Sequence, residues 1–118
     1  MIALLDLAPY RMNLVAGLPY GIRKIVELGR ALVAGPRLLL LDEPASGLNP
    51  EETHELAHWI RDIRDALGIT VVMVEHDMSL VSAVADRVLV MEQGQRLALG
   101  TPAEVQSDPR VIAAYLGA

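Results

Sequence analysis

The chain has no cysteine among its 118 residues, which excludes a disulfide framework and a thiolate metal site. No apolar run approaches the roughly 18 residues that a membrane-spanning helix needs. Residues 1–11 carry Asp6 inside their apolar stretch and have no basic segment ahead of it, so they lack the pattern of a signal peptide. We therefore expect a soluble protein that reaches a membrane only through a partner.

The chain also lacks an excess of positive charge. Its formal net charge is −5, which disfavours a nucleic-acid or anionic-membrane surface. Hydrophobic residues make up 53% of the sequence, which is enough material for the core of one modest domain. The sequence contains no internal repeat, low-complexity segment or interdomain linker.

The apolar pattern predicts strands alternating with helices. Three runs rich in leucine, valine and isoleucine predict strands at 37–42, 69–75 and 87–92. The first run is continuous, which is typical of a strand covered on both faces. Caps and helical periodicity predict helices at 22–34, 49–67 and 78–85, and residues 2–7 suit a short helix or the tail of one. We expect an α/β layer fold with a parallel sheet and flanking helices.

The C-terminal residues carry strong local signals. A tight turn at Gly94 predicts a hairpin with residues 96–100. Thr101 and Glu104 have the spacing of a capping box, with proline at the first helical position. A last helix should run from Asp108-Pro109 to Gly117 and pack on the sheet.

Two carboxylates, Asp42 and Glu43, directly follow the first predicted strand, and His76 follows the second. Ligands of parallel α/β sheets bind at the carboxyl ends of strands, so these side chains should share one edge. There a carboxylate can hold Mg²⁺, another can orient an attacking water, and a histidine can contact a phosphoryl group. The simpler alternative is a polar loop and a helix cap. Pro44 and the capped helix beyond it favour the functional interpretation.

Several strings resemble motifs of ABC-type ATPases. LLLLDEP (38–44) resembles the Walker B motif, SGLN (46–49) the D-loop, VEHD (74–77) the switch histidine segment, and LPYGIRKIVELGRAL (18–32) the signature loop with its helix. More narrowly, LPYG, DEPASGLNP, VEHDM, LALGTPAEV and VIAAYLG are similar to strings in the cytoplasmic ATPases of branched-chain amino-acid importers. The resemblance covers essentially the whole chain.

The resemblance implies the C-terminal part of one P-loop NTPase (ABC ATPase) domain. Residues 1–34 would end the helical subdomain, and residues 35–118 would hold Walker B, the D-loop, the switch and the C-terminal elements. Asp42 would hold Mg²⁺ through water, Glu43 would polarise the attacking water, and His76 would sense the γ-phosphate. Nucleotide-contacting positions would be Leu18, Pro19, Tyr20, Gly21 and Ile22 in the signature turn, and Ser46, Gly47, Leu48 and Asn49 in the loop facing a second subunit.

The sequence departs from the family in two places. The family signature is Leu-Ser-Gly-Gly-Gln, whereas residues 18–22 read Leu-Pro-Tyr-Gly-Ile. The serine hydroxyl and glutamine amide are absent, although backbone N–H groups at a helix start can still bind phosphate. The chain also contains no G-x-x-x-x-G-K-[ST] loop, and its only lysine, Lys24, follows no glycine-rich segment. In the family that loop cradles the phosphates of ATP.

The missing Walker A strand predicts a gap in the sheet. In the family it lies between the switch strand and the next strand. Without it, the edge of 69–75 would expose backbone groups and apolar side chains. We expect the isolated chain to close the gap by direct pairing with 87–92, to oligomerise, or to be unstable.

Three functions are compatible with these motifs. The first is the C-terminal portion of the ATP-hydrolysing subunit that powers import of branched-chain amino acids or similar substrates, with ATP and Mg²⁺ as cofactors. Its partners would be a second ABC ATPase subunit and membrane permease subunits at the cytoplasmic face of the plasma membrane. The second is a truncated, non-enzymatic paralogue that pairs with a full-length ATPase. The third, a non-transport ABC ATPase, is disfavoured by the net acidity and the transporter-like C-terminal strings.

Overall fold

The computed structural model describes residues 1–116 and divides the chain into two units, Met1–His76 and a second that begins at Asp77. Each unit contains one sheet of two strands. Among the described residues, no helix has the length and apolar character needed to cross a membrane.

The first unit alternates helices and strands after an irregular start. Two 3₁₀ helices, Ala8–Tyr10 and Val15–Gly17, come first. The regular elements are helix α1 (Tyr20–Val33), strand β1 (Leu38–Asp42), helix α2 (Pro50–Asp65) and strand β2 (Thr70–Val74). These four predicted elements are confirmed, and α1 begins at Tyr20 rather than at residue 22.

Residues 2–6 form hydrogen-bonded turns instead of the predicted short helix. Leu5 N–H donates to Met1 O, but Asp6 then adopts a left-handed conformation with φ +54° and ends the helical path. Pro9 lies inside the following 3₁₀ helix, in its first turn, where a missing N–H breaks no helical hydrogen bond.

β1 and β2 pair in parallel, with Leu38 opposite Thr70. One face of this sheet is packed, and Leu39 is only 5% exposed. The other face is open, with Leu40 69% and Val74 62% exposed. The prediction that β1 is covered on both faces is therefore wrong for this chain. Its apolar run suits a strand between two layers, but the described residues cover only one face.

Helix α2 begins at the predicted cap. Asn49 Oδ1 accepts a hydrogen bond from the Glu52 amide at 2.9 Å, and the Glu52 carboxylate accepts one from the Asn49 amide at 2.9 Å. The buried stripe of α2 includes Ile63, which is 0% exposed. Leu67, the last residue of the predicted helix, is 42% exposed because the helix has already ended. The chain turns at Gly68, whose φ is +64°.

The second unit is built around a hairpin. Its elements are helix α3 (Met78–Val84), strand β3 (Val88–Glu92), strand β4 (Gln95–Gly100), helix α4 (Pro102–Gln106), helix α5 (Pro109–Val111) and a π-helical turn (Ile112–Leu116). Gln93 and Gly94 join the two strands with φ values of +49° and +76°. Positive φ at both positions suits a tight hairpin turn, as the sequence predicts.

A small apolar core holds the second unit together. Ala98, Val105 and Val111 are buried, and Val88, Val90 and Leu97 pack against them. The predicted capping box is present, since Glu104 N–H donates to Thr101 Oγ1 at 3.3 Å and Thr101 N–H donates to Glu104 Oε2 at 2.9 Å. The predicted packing of the terminal helix on the sheet is confirmed at Val111. Its predicted end, Gly117, lies outside the described residues.

The expected parallel sheet consists of one strand pair in residues 1–116. Within that range β1 pairs with β2 in parallel, and β3 pairs with β4 in an antiparallel arrangement. The hairpin gives β3 a local partner at little cost in loop closure. Of the three outcomes expected for the gap, direct pairing of β2 with β3 is therefore wrong.

Candidate functional site

Glu43 is fixed at the carboxyl end of β1 by its backbone. Its amide donates a hydrogen bond to Val74 O at 2.8 Å, which continues the pairing with β2 by one residue beyond Asp42. Its φ is +47°, in the left-handed region that non-glycine residues seldom adopt. Such conformations persist where surrounding contacts hold them and are frequent at functional sites. The chain thus turns sharply at this carboxylate.

His76 lies beside Glu43, as the positions of the two residues after neighbouring parallel strands predict. Its Nδ1 is 3.5 Å from Glu43 Oε1, and the two side chains are 73% and 52% exposed. This contact is an ion pair whenever the imidazole is protonated. The structure therefore brings the two residues expected to be catalytic to one accessible edge, where a water or phosphate can reach both.

Glu75, which none of the sequence motifs singles out, supports this edge from its buried side. Its side chain is 1% exposed. Its two carboxylate oxygens accept hydrogen bonds from the amides of Ala45 and His76, each at 2.9 Å. The carboxylate thereby links the end of β2 to the loop after β1. Strand alternation could have revealed it, because Glu75 continues the inward row of Val71 and Met73.

The loop from residue 44 to residue 49 is closed by its own backbone. Ser46 N–H donates to Glu43 O and Leu48 N–H donates to Ala45 O, both at 3.1 Å. Gly47 supplies the turn with φ +78°. Ser46 and Gly47 are exposed, Leu48 is half-buried, and the loop ends at the α2 cap. Its exposed tip is available to another molecule.

The signature turn packs against this loop. Leu18 is buried and Pro19 is the N-terminal capping residue of α1, followed by the exposed Tyr20, the buried Gly21 and the half-buried Ile22. The Tyr20 hydroxyl donates a hydrogen bond to Ser46 O at 3.1 Å. The two segments expected to contact nucleotide therefore touch within one chain.

Comparison with known proteins agrees with these features. A family model described as "Branched-chain amino acid ATP-binding cassette transporter" matches residues 95–118. The high-affinity branched-chain amino acid transport ATP-binding protein LivG of Salmonella typhimurium is 47% identical over 102 residues, covering 86% of this chain and 40% of LivG. The corresponding protein BraF of Pseudomonas aeruginosa is 46% identical over 100 residues, with 85% and 39% covered.

Solved structures show the same relationship. The ADP conformation of MJ1267, an ATP-binding cassette of an ABC transporter, matches 99% of this chain and 47% of its own, with a TM-score of 0.89 and 32% identity. CbiO1 from Clostridium perfringens, part of the ABC transporter complex CbiONQ, gives a TM-score of 0.84 and 30% identity over 95% of this chain and 45% of its own.

This chain corresponds to the C-terminal portion of a branched-chain amino-acid ABC transporter ATP-binding protein. It spans about 40% of the length of the curated relatives described above. The partial ABC ATPase fold expected from the sequence is confirmed, as a mixed α/β structure with one parallel strand pair.

The residues of this ABC portion do not by themselves form a magnesium site. Asp42 and Glu43 are both exposed at the end of β1. Within residues 1–116, no group of three or more His, Asp or Glu side chains could hold a metal ion. Mg²⁺ requires near-octahedral oxygen coordination. Asp42 can offer one carboxylate to such an ion.

Proposed function

We propose that this chain supplies the water-activating edge and the signature turn of an ATP-hydrolysing subunit that powers import of branched-chain amino acids or similar substrates. The observation that carries the proposal is the pair formed by Glu43 and His76, whose Oε1 and Nδ1 atoms are 3.5 Å apart. The pair lies at the carboxyl edge of a parallel strand pair, where α/β folds bind their ligands.

Glu43 would act as a hydrogen-bond acceptor for the attacking water. Its backbone is held by Val74 O while its carboxylate stays 52% exposed, so the acceptor is positioned but accessible. A carboxylate that orients or deprotonates water contributes to phosphoryl transfer mainly by position. His76, held through its amide by buried Glu75, would donate from its ring to a phosphate oxygen.

ATP and Mg²⁺ would be bound only in part by these residues. The sequence has no glycine-rich phosphate loop, so we expect no ATP hydrolysis from the chain alone. The exposed loop Ser46–Asn49 and the signature turn would face a second ABC ATPase subunit. Permease subunits would hold the assembly at the cytoplasmic face of the membrane, and nucleic acid is not an expected partner.

A chimera tests the proposal. The matching C-terminal portion of full-length LivG is replaced by this chain, and ATP turnover is measured. We expect Glu43→Gln and His76→Ala each to lower kcat by at least about 100-fold, the lower range for a positioned acid–base group. Glu51→Gln, in the exposed first turn of α2, is the matched control and should leave kcat unchanged. Full turnover in the Glu43→Gln chimera would sink the proposal.

A pairing role without hydrolysis is the second candidate. It is favoured by the open apolar face of β1 and β2, where Leu40 is 69% exposed. Affinity capture of full-length LivG by this chain, followed by ATPase measurement of the mixed complex, separates the two. Stable capture together with an inactive chimera would favour the pairing role.

A further inference from the structure

The first residue of α1 makes a contact that none of the family motifs predicts. Tyr20 is 44% exposed, yet its hydroxyl donates a hydrogen bond to Ser46 O, 26 residues away, at 3.1 Å. Its ring also lies near two cations of its own helix, with Arg23 Cζ 5.7 Å and Lys24 Nζ 5.6 Å from the ring centroid. These i, i+3 and i, i+4 neighbours favour one orientation of the ring.

Gly47 leaves the space that this ring occupies. A Cβ at Gly47 would lie 2.8 Å from Tyr20 Cε1, a distance that real Cβ atoms essentially never show, and 3.1 Å from Tyr20 Cζ, which is tighter than most Cβ contacts. Gly47 also has φ +78°, a conformation that L side chains rarely adopt. The Tyr20 ring therefore fits against Gly47 only because residue 47 has no side chain.

Gly21, the residue after Tyr20, also lies where a side chain would not fit, in this case against Glu52. A Cβ at Gly21 would lie 2.5 Å from Glu52 Oε1. The Glu52 carboxylate is not free to swing away, because its other oxygen accepts a hydrogen bond from Asn49 N–H at 2.9 Å in the capping box. Tyr20 thus places a large side chain against the start of the segment 46–52. Gly21, which has no side chain, leaves room for Glu52 at the end of that segment.

We propose that Tyr20 is a positioning residue that clamps the loop 44–49 after Glu43 to the start of α1. The clamp acts on Ser46, whose amide donates a hydrogen bond to Glu43 O at 3.1 Å. Ser46 is therefore part of the backbone turn that begins at Glu43. The signature turn and the loop that follows Glu43 then move together. Any effect of this coupled movement on ATP hydrolysis rests on the proposed function. The contact between Tyr20 and the loop does not.

The clamp is tested on the 118-residue chain without nucleotide. Amide hydrogen exchange and ¹H–¹⁵N chemical shifts are recorded for Ser46, Gly47 and Leu48 in Tyr20→Phe. Loss of the hydroxyl hydrogen bond should speed exchange of these amides roughly threefold to tenfold while global unfolding changes less. Tyr10→Phe, in the same unit, is the control and should leave them unchanged. Unchanged shifts and exchange in Tyr20→Phe would overturn the clamp.

A double-mutant cycle supplies the second measurement. Gly47→Ala should speed local opening of the loop strongly beside Tyr20, but less in a Tyr20→Ala background, because the truncated residue no longer collides with the new methyl group. Additive effects would contradict the contact. If Tyr20→Ala does not fold, Tyr20→Leu replaces it, since a leucine also removes the ring atoms nearest Gly47. Neither measurement depends on ATP, so either can fail while the chimera remains active.

Discussion

The buried carboxylate of Glu75 accepts a hydrogen bond from the Ala45 amide, 30 residues away in the chain, at 2.9 Å. The same carboxylate accepts one from the amide of His76. One side chain therefore holds both the loop after Glu43 and the residue expected to sense phosphate. The geometry of the exposed edge therefore depends on a side chain that is itself buried.

Glu75→Ala should destabilise the first unit. It removes the acceptors of two backbone amides and leaves that of Ala45, a residue only 8% exposed, without its partner. We expect a loss of about 1.5–3 kcal/mol in the free energy of unfolding, the range for hydrogen bonds to charged groups. Urea titration followed by fluorescence of Trp59, the only tryptophan, measures it. Exposed Glu55→Ala should change less than about 0.5 kcal/mol, and equal effects would refute the role of Glu75.

Local sequence signals predicted the local structure well. The cap at Asn49, the capping box at Thr101 and the turn at Gly94 each depend on residues within a few positions, so the pattern alone specifies them. Contacts between distant segments could not be predicted in this way. The bond from Tyr20 to Ser46 requires the docking of α1 on the loop, and the signature pattern indicated only that a serine and a glutamine were missing.

The open face of β1 is a second feature that the local sequence pattern could not predict. Its leucine run correctly predicts a strand, and an apolar run reports what a strand is suited to contact. It does not report whether the covering layer is in the chain. Leu38 and Leu40 remain 52% and 69% exposed for that reason.

This open face should make the chain self-associate. Leu40 and Val72 are paired neighbours on it, with Val72 52% exposed, and contiguous exposed apolar surface promotes association. Leu40→Thr should lower the weight-average mass in sedimentation velocity at high concentration and reduce binding of a hydrophobic dye. Val33→Thr, at a helix residue 71% exposed, is the control. A mass that falls equally in both variants, or in neither, would exclude the sheet face as the contact.

Ile63 should be the most sensitive apolar position of α2. It is 0% exposed, so truncation removes packed methylene groups and leaves a cavity. We expect Ile63→Ala to lose about 2–5 kcal/mol and Ile63→Val about 0.5–1.5 kcal/mol in urea unfolding. Val33→Ala, at an exposed site, should stay within about 0.5 kcal/mol. A small loss in Ile63→Ala would mean that the site collapses around the cavity.

The ion pair of Asp108 and Arg110 gives a pH dependence of known sign. Arg110 holds the pKa of the Asp108 carboxyl below its usual value, first through side-chain hydrogen bonds, one of them at 2.8 Å, and then through its backbone amide. Because the pKa is depressed in the folded state, the stabilisation is present above the unfolded pKa and is lost as the pH falls through the folded one. Arg110→Gln should raise the pKa of Asp108, as measured by ¹³C NMR titration of its carboxyl carbon. Arg96→Gln is the control, since Arg96 lines one surface pocket together with Asp108 and Arg110 but does not contribute to the pKa shift of Asp108. Equal titration curves in the parent and Arg110→Gln would show that the pair does not form in solution.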